Sequence, residues 1–235
     1  MLALLPEAEL ARLAPDMTLI DLRHHDVIYA AGAEVCFAYF PLSAVMSVIA
    51  TDSDGRGVEA ASVGREGIVG LAGALGASAT IGEVINQVSG RAFRIPIEPL
   101  RQEIERRETL SAMVEHYTIA LLAQISQSLV CNRHHPIEAR TARWLLATHD
   151  RVGQDSFVLT QDFLAVMLGV TRPQVSIAAT TLRRRGLIDY RRGRITIADR
   201  AGLEAAVCEC YGIIQAEFTR LLRGDHQNGW RGVGG

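Results

Sequence analysis

The sequence predicts an α+β chain in three parts: an N-terminal antiparallel jelly-roll or double-stranded β-helix sandwich (residues 1–99), one long helix (100–132), and a compact C-terminal part built on a helix pair and a hairpin (133–235). Three observations predict it. Short apolar runs broken by glycine fill residues 17–97, residues 100–131 contain neither Gly nor Pro, and positive charge is concentrated in residues 160–200.

The chain of 235 residues is 49% apolar and 21% charged, too balanced for disorder and long enough for one large or two ordinary domains. Glu7, Glu9 and Arg12 interrupt the N-terminal apolar stretch, and no basic run follows Met1. No membrane-spanning helix or secretory signal is therefore expected, and the expected compartment is the cytoplasm. Cys36, Cys131, Cys208 and Cys210 are too few for a disulfide scaffold; Cys208 and Cys210 form only CxC, so reduced thiols and no metal site are expected.

In the sandwich region, Asp26-Val27-Ile28-Tyr29 and Arg91-Ala92-Phe93-Arg94-Ile95 nearly alternate, as half-buried strands do. Gly32, Gly55, Gly57, Gly64 and Gly90 read as turn punctuation, and Asp52-Ser53-Asp54-Gly55 is the clearest hairpin turn. Glu7 to Leu13 reads as a short helix lying over the sandwich.

The long helix carries two apolar stripes at helical spacing, one through Leu110, Val114, Tyr117 and Leu121, the other through Met113, Leu122, Ile125 and Leu129. Two stripes need two partners. The sandwich is one; the same helix of a second subunit, or another part of the same domain, is the other. Asn132-Arg133-His134-His135-Pro136 ends the helix, and the histidines beside Cys131 lack further ligands at metal-binding spacing. A helix resumes over Ile137 to Thr148, followed by a loop at Gly153 to Ser156.

Residues 1–159 hold 13 Arg against 19 acids, 160–200 hold 8 against 3, and 201–235 hold 3 against 4. The net charge of -2 thus conceals one basic segment, and every basic residue in it is Arg, suited to meeting an anion. Within it QDFLAVMLGVTRPQVSIAAT, residues 161–180, fits the needs of a helix-turn-helix. Ala165 supplies the close contact and Gly169 the left-handed turn, while Leu164, Leu168, Val170, Val175 and Ala178 take the inward positions. Thr171-Arg172-Pro173-Gln174 is a capping-box start for the second helix, with Pro173 in its first turn.

That start directs Arg172, Pro173, Gln174, Ser176, Ile177 and Thr180 outward. In a major groove Arg172 suits guanine O6 and N7, Gln174 and Ser176 suit base edges or phosphates, and Ile177 suits a thymine methyl; capping competes for Gln174. Arg183-Arg184-Arg185 closes the helix, and Arg191-Arg192-Gly193-Arg194 turns a β-hairpin wing whose arginines face flanking phosphates. Thr171, Arg172, Gln174, Ser176, Ile177, Thr180, Arg184, Arg191, Arg192 and Arg194 are the candidate DNA-binding residues.

Over nearly its full length the chain resembles the Crp/Fnr family of bacterial transcription regulators. The resemblance rests on Tyr39-Phe40-Pro41-Leu42-Ser43, Asp54-Gly55-Arg56-Gly57-Val58-Glu59, Gly64-Arg65-Glu66-Gly67-Ile68-Val69-Gly70, the long helix, and the winged segment from Thr171-Arg172 to Leu187-Ile188. It implies an effector domain shaped like a cyclic-nucleotide-binding jelly roll, a dimerising helix, a winged helix-turn-helix on palindromic operators, and RNA polymerase as a partner. Arg172 matches the guanine-reading arginine of the family. Pro173 and Ile177 replace an acidic and a second basic reader of the catabolite activator, which implies a different operator.

Glu66 with Gly67 and Gly70 resembles half of the family's cyclic-nucleotide pocket. The Arg-Ser or Arg-Thr pair for phosphate is missing; the chain reads Ser78-Ala79-Thr80-Ile81-Gly82-Glu83, with the Glu83 carboxylate in its place. A carboxylate repels phosphate, so cyclic AMP in the usual mode is not expected; the sequence predicts no cofactor, and the effector domain's ligand is unknown or lost. The N-terminal cysteine cluster of the iron-sulfur branch is absent, and haem ligation by His24 or His25 stays open. Two other readings compete: a cupin-like metalloenzyme, which needs an HxH ligand set that adjacent His24-His25 do not form, and a ligand sensor acting through a protein partner.

Overall fold

A computed structural model describes residues 1–223. Helix α1 (Glu7–Leu13) is followed by strands β1 (Thr18–Leu22), β2 (Val27–Tyr29), β3 (Phe37–Pro41), β4 (Val45–Thr51) and β5 (Gly57–Val63). A short α2 (Leu71–Ala74) leads to β6 (Glu83–Val88) and β7 (Gly90–Pro96). These strands form two antiparallel sheets, ordered β1-β7-β3 and β2-β6-β4-β5. The inward residues Ala38, Phe40, Met46, Val63, Ala92 and Ile95 are buried in one core, each large one contributing about 1.5–3 kcal/mol.

The Asp52–Gly55 turn joins β4 to β5 as expected, with Asp52 Oδ1 accepting from the N–H groups of Asp54 and Arg56. Gly32 and Gly55 are left-handed, and Gly64 opens a turn whose carbonyl accepts from the Gly67 N–H at 3.0 Å, whereas Gly57 and Gly90 begin strands β5 and β7. These two mark close approaches instead: a Cβ at Gly90 would lie 2.4 Å from the Ala44 nitrogen.

The expected helix over 100–132 is broken in two. Helix α3 (Ile97–Glu105) ends where Arg107 takes φ 59, and α4 (Thr109–His134) starts afresh. Helix α1 supplies the reason. The buried Glu9 carboxylate accepts from the N–H groups of Thr109 at 3.1 Å and Leu110 at 2.9 Å, satisfying donors that a new helix start exposes. Arg12 bridges Glu103 and Glu108 across the break.

The first α4 stripe is covered: Leu110, Val114 and Tyr117 are buried. The second is divided. Met113 is buried and Ile125 half-buried, whereas Leu122 and Leu129 are exposed. Beyond α4 come α5 (Ile137–Val152), β8 (Ser156–Val158), α6 (Gln161–Leu168), α7 (Arg172–Arg184), β9 (Ile188–Arg191), β10 (Arg194–Ile197), α8 (Arg200–Ala206) and α9 (Cys210–Arg223). The three strands form a sheet ordered β8-β10-β9. Helix α9 leaves the winged part and returns to α4, where the Phe218 ring meets that of Tyr117 at 6.3 Å.

The winged part has its own core of Leu145, Leu146, Phe157, Leu168, Val175, Leu182, Ile195 and Leu203, continuous with Val45, Ile49 and Val88 of the sandwich. Helix α6 docks on β5, bringing Gly169 so near Val58 that a Cβ would lie 3.0 Å from its methyl. His24 and His25 lie in the turn after β1 rather than on a strand, with His25 at φ 71. Both rings pack on Phe163 of α6, at 5.2 and 4.9 Å, because the turn projects toward the helix. No single described helix is long and apolar enough to cross a membrane.

Candidate nucleic-acid interface

Helices α6 and α7 meet at 105°, within the range of a helix-turn-helix. The angle follows from local chemistry. Thr160 caps α6 by accepting from the Phe163 N–H at 3.1 Å, and Gly169 ends it at φ 60, a conformation costly for other residues. Arg140 of α5 donates to the last α6 carbonyl, that of Leu168, and to Asn132 Oδ1 at 3.0 Å, placing a cation at the negative helix end. Leu164, Ala165, Leu168, Val175 and Ala178 are buried in the angle between the helices, and Val170 is half-buried.

This packing turns the other face of α7 to solvent. Thr171, Arg172, Pro173, Gln174, Ile177 and Thr180 are exposed, and Ser176 is half-buried. The Gln174 amide oxygen accepts from the Thr171 N–H at 2.9 Å and its hydroxyl at 3.0 Å, so capping occupies it. The Arg172 guanidinium lies 3.5 Å from Asp162 with both side chains well exposed, a pair worth little in water and easily exchanged for another acceptor.

The wing follows at once. Arg191 and Arg194 face each other across β9 and β10, and the turn between them puts Arg192 and Gly193 at φ 50 and 73, the geometry of a tight two-residue hairpin. Arg184, Arg191, Arg192 and Arg194 are exposed. Asp189 holds Arg191 at 2.9 Å and Arg183 at 3.6 Å, and carries the only carboxylate between residues 163 and 198. The result is a cationic rim beside an uncharged-to-basic helix face.

Of the effector candidates, Glu66, Gly67 and Gly70 share the loop between β5 and α2, and Glu83 lies on β6. Glu66 Oε1 accepts from Arg151 Nε of α5 at 2.7 Å and from the Gly64 N–H at 3.1 Å, so its carboxylate ties the sandwich to α5. Gly67 is pressed against Tyr117, and Gly70 at φ 92 against the Phe37 carbonyl. Glu83 pairs across from Ile49, whereas Glu66 lies beyond Val63, the partner of Met46, at the other end of β4. His24 uses Nδ1 toward the Gln87 carbonyl at 2.7 Å, and burial, opposed by that bond and aided by His25, lowers its pKa.

Sequence reasoning missed one convergence. Cys131, His135, Cys208 and Cys210 meet where α4, α5 and α9 join. The i, i+4 spacing of Cys131 and His135, together with the CxC pair, was the available signal.

Residues 139–206 match the family model of the Crp-like helix-turn-helix domain. No curated protein sequence matches the chain. Among solved structures it is similar to FixK2 from Bradyrhizobium japonicum, with TM-score 0.66 and 16% identity over 82% of this chain and 98% of that one. It is also similar to a CRP-family transcriptional regulator from Thermus thermophilus (TM-score 0.65, 22% identity, 80% and 95% covered). A third is the c-di-GMP-responsive global regulator CLP of Xanthomonas campestris (TM-score 0.64, 15% identity, 82% and 99% covered). Residues 139–206 are thus a Crp-like helix-turn-helix domain, and the chain around them has the fold of the Crp/Fnr transcriptional regulators.

Proposed function

We propose that this protein is a non-enzymatic, sequence-specific DNA-binding transcription regulator that acts as a homodimer on a palindromic operator. The observation that carries the reading is the exposed face of α7, from Thr171 through Arg172 and Ile177 to Thr180, held at 105° to α6 beside the Arg191–Arg194 wing. With α7 in the major groove, Arg172 is the bidentate donor to guanine and Ile177 the apolar contact to thymine. Arg184, Arg191, Arg192 and Arg194 meet phosphates, as charge-dense arginines at a groove edge do.

Dimerisation is supported by the open side of α4, where Ile119, Leu122, Leu129 and Val130 are exposed on one chain. RNA polymerase is the further partner and the cytoplasm the compartment that a transcription regulator of this fold implies. The effector is not cyclic AMP held in the usual way, because Glu66 is engaged by Arg151 and no Arg-Ser pair stands in the sequence from Ser78 to Glu83.

The test is selection of bound sequences from a random duplex pool, with affinity of the winner measured against salt. A two-fold symmetric consensus and a steep fall in affinity with added salt are expected. Recovery of no consensus, with salt-insensitive binding, would leave the protein-partner sensor as the better reading.

A further inference from the structure

We propose that Cys131, His135, Cys208 and Cys210 form a mononuclear Cys3His site for a thiophilic divalent ion, zinc by its chemistry, clamping α9 to the joint between α4 and α5. The four ligand atoms all lie within 4.8 Å of one another. Cys131 Sγ is 3.6 Å from Cys208 Sγ, and Cys210 Sγ is 3.4 Å from His135 Nδ1. A tetrahedron with zinc–sulfur bonds of about 2.3 Å and zinc–nitrogen bonds of about 2.0 Å has edges of about 3.8 Å between sulfurs and about 3.5 Å between sulfur and nitrogen. The observed edges are those of a single ion; a multi-iron cluster would hold its thiolates further apart.

The surroundings are also those of a metal site. His135 turns Nδ1 inward and sets Nε2 3.1 Å from Glu209 Oε1, so the carboxylate takes the ring N–H and leaves the inner lone pair for a metal. Gln127 donates to Cys210 Sγ at 3.1 Å, and Arg143 Nε donates to Cys131 Sγ at 3.1 Å. Three thiolates around a divalent ion leave one net negative charge, which the buried Arg143 guanidinium offsets. All three thiols are buried, and Cys36, the remaining cysteine, is exposed.

A Cys131–Cys208 disulfide is the rival use of the same atoms, since closing 3.6 Å to a covalent bond of about 2.0 Å needs only a small shift. It gives no role to the inward imidazole with its carboxylate behind, nor to the third thiol. The clamp joins two segments far apart in the chain, the end of α4 with the break before α5, and Cys208 with Cys210 at the start of α9, whose ligands lie 77 and 75 positions from Cys131 and His135. Neither the site nor its test depends on DNA reading.

The full chain, purified under reducing conditions, is expected to carry one zinc per chain and to exchange it for Co2+ with tetrahedral d–d bands and thiolate charge-transfer absorption. Cys208→Ser and Cys210→Ser should abolish that spectrum, and Cys36→Ser should leave it intact. Because the serine variants remove buried groups, Glu209→Gln, an exposed change, serves as the independent check. It should fold normally and weaken zinc affinity about 10–100-fold in a chelator competition. Metal-free chain with no cobalt spectrum, a spectrum that survives both serine variants, a Glu209→Gln affinity equal to wild type, or a Cys131–Cys208 disulfide in chain that takes up no cobalt would each overturn the proposal.

Discussion

Arg172 and Arg192 are both exposed arginines within one short basic segment, yet their settings differ. Arg172 starts the exposed face of α7 and leans on Asp162, a weak partner that a guanine edge can replace. Arg192 sits in a left-handed turn at the wing tip, where its charge but no fixed geometry is offered. Arg172→Ala is therefore expected to cost about 1–3 kcal/mol on the preferred operator and to relax preference at one base position. Arg192→Ala should weaken cognate and random duplex alike and reduce the salt slope by about 1. Titrations of both variants on cognate and scrambled duplexes read this directly; a sequence-selective loss from Arg192→Ala would contradict the wing placement. The residues of this face were legible in the sequence because a cap, a turn glycine and five inward positions fix the phase of a short helix. His24 was not, because the turn that aims it at Phe163 is set by contacts between distant segments.

At the scale of elements, the two-part helix depends on Glu9, a residue about a hundred positions upstream of the break. Burial pushes its carboxyl up, but the Thr109 hydroxyl, the N–H groups of Leu110 and Thr109, and Arg12 pull it down further, leaving it below its ordinary value. A carboxylate whose pKa is lowered on folding adds stability that is present above its unfolded value and is lost as pH falls through the folded one. Glu9→Gln should thus be less stable than wild type near neutral pH, by about 1–3 kcal/mol for the weakened cap. Urea midpoints of the two chains should stay apart above the ordinary carboxylate pKa of about 4.3 and converge as pH falls below it. A difference that does not change with pH would mean that shape, not charge, makes the cap. The break itself was invisible in the sequence, since residues 100–131 lack the Gly or Pro that marks most helix ends. A left-handed Arg107 and a cap supplied from another helix leave no local signature.

In the whole molecule, the order of sandwich, helix and winged part followed from the sequence, since each has its own hydrophobic period. How they sit together did not, because docking of α6 on β5 and of α9 on α4 rests on pairs distant in the chain. That docking decides what α4 has left to offer. The sandwich and α9 cover Tyr117, Met113 and Val114, leaving Ile119 at 49%, Leu122 at 58%, Leu129 at 68% and Val130 at 46% exposure. Helical spacing of 3, 7 and 1 places them along one side, and a two-fold axis beside it would set each leucine against the same helix of a second chain. The double substitution Leu122→Glu, Leu129→Glu removes four leucines per dimer. At about 1 kcal/mol each, allowing for their partial cover, dimer dissociation should rise by nearly three decades before charge repulsion is added. Sedimentation should show a monomer with an unchanged far-ultraviolet circular dichroism spectrum, and affinity for a full palindrome should drop toward that for one half-site. A variant that stays dimeric and still prefers the full palindrome would place the two-fold axis elsewhere on the protein.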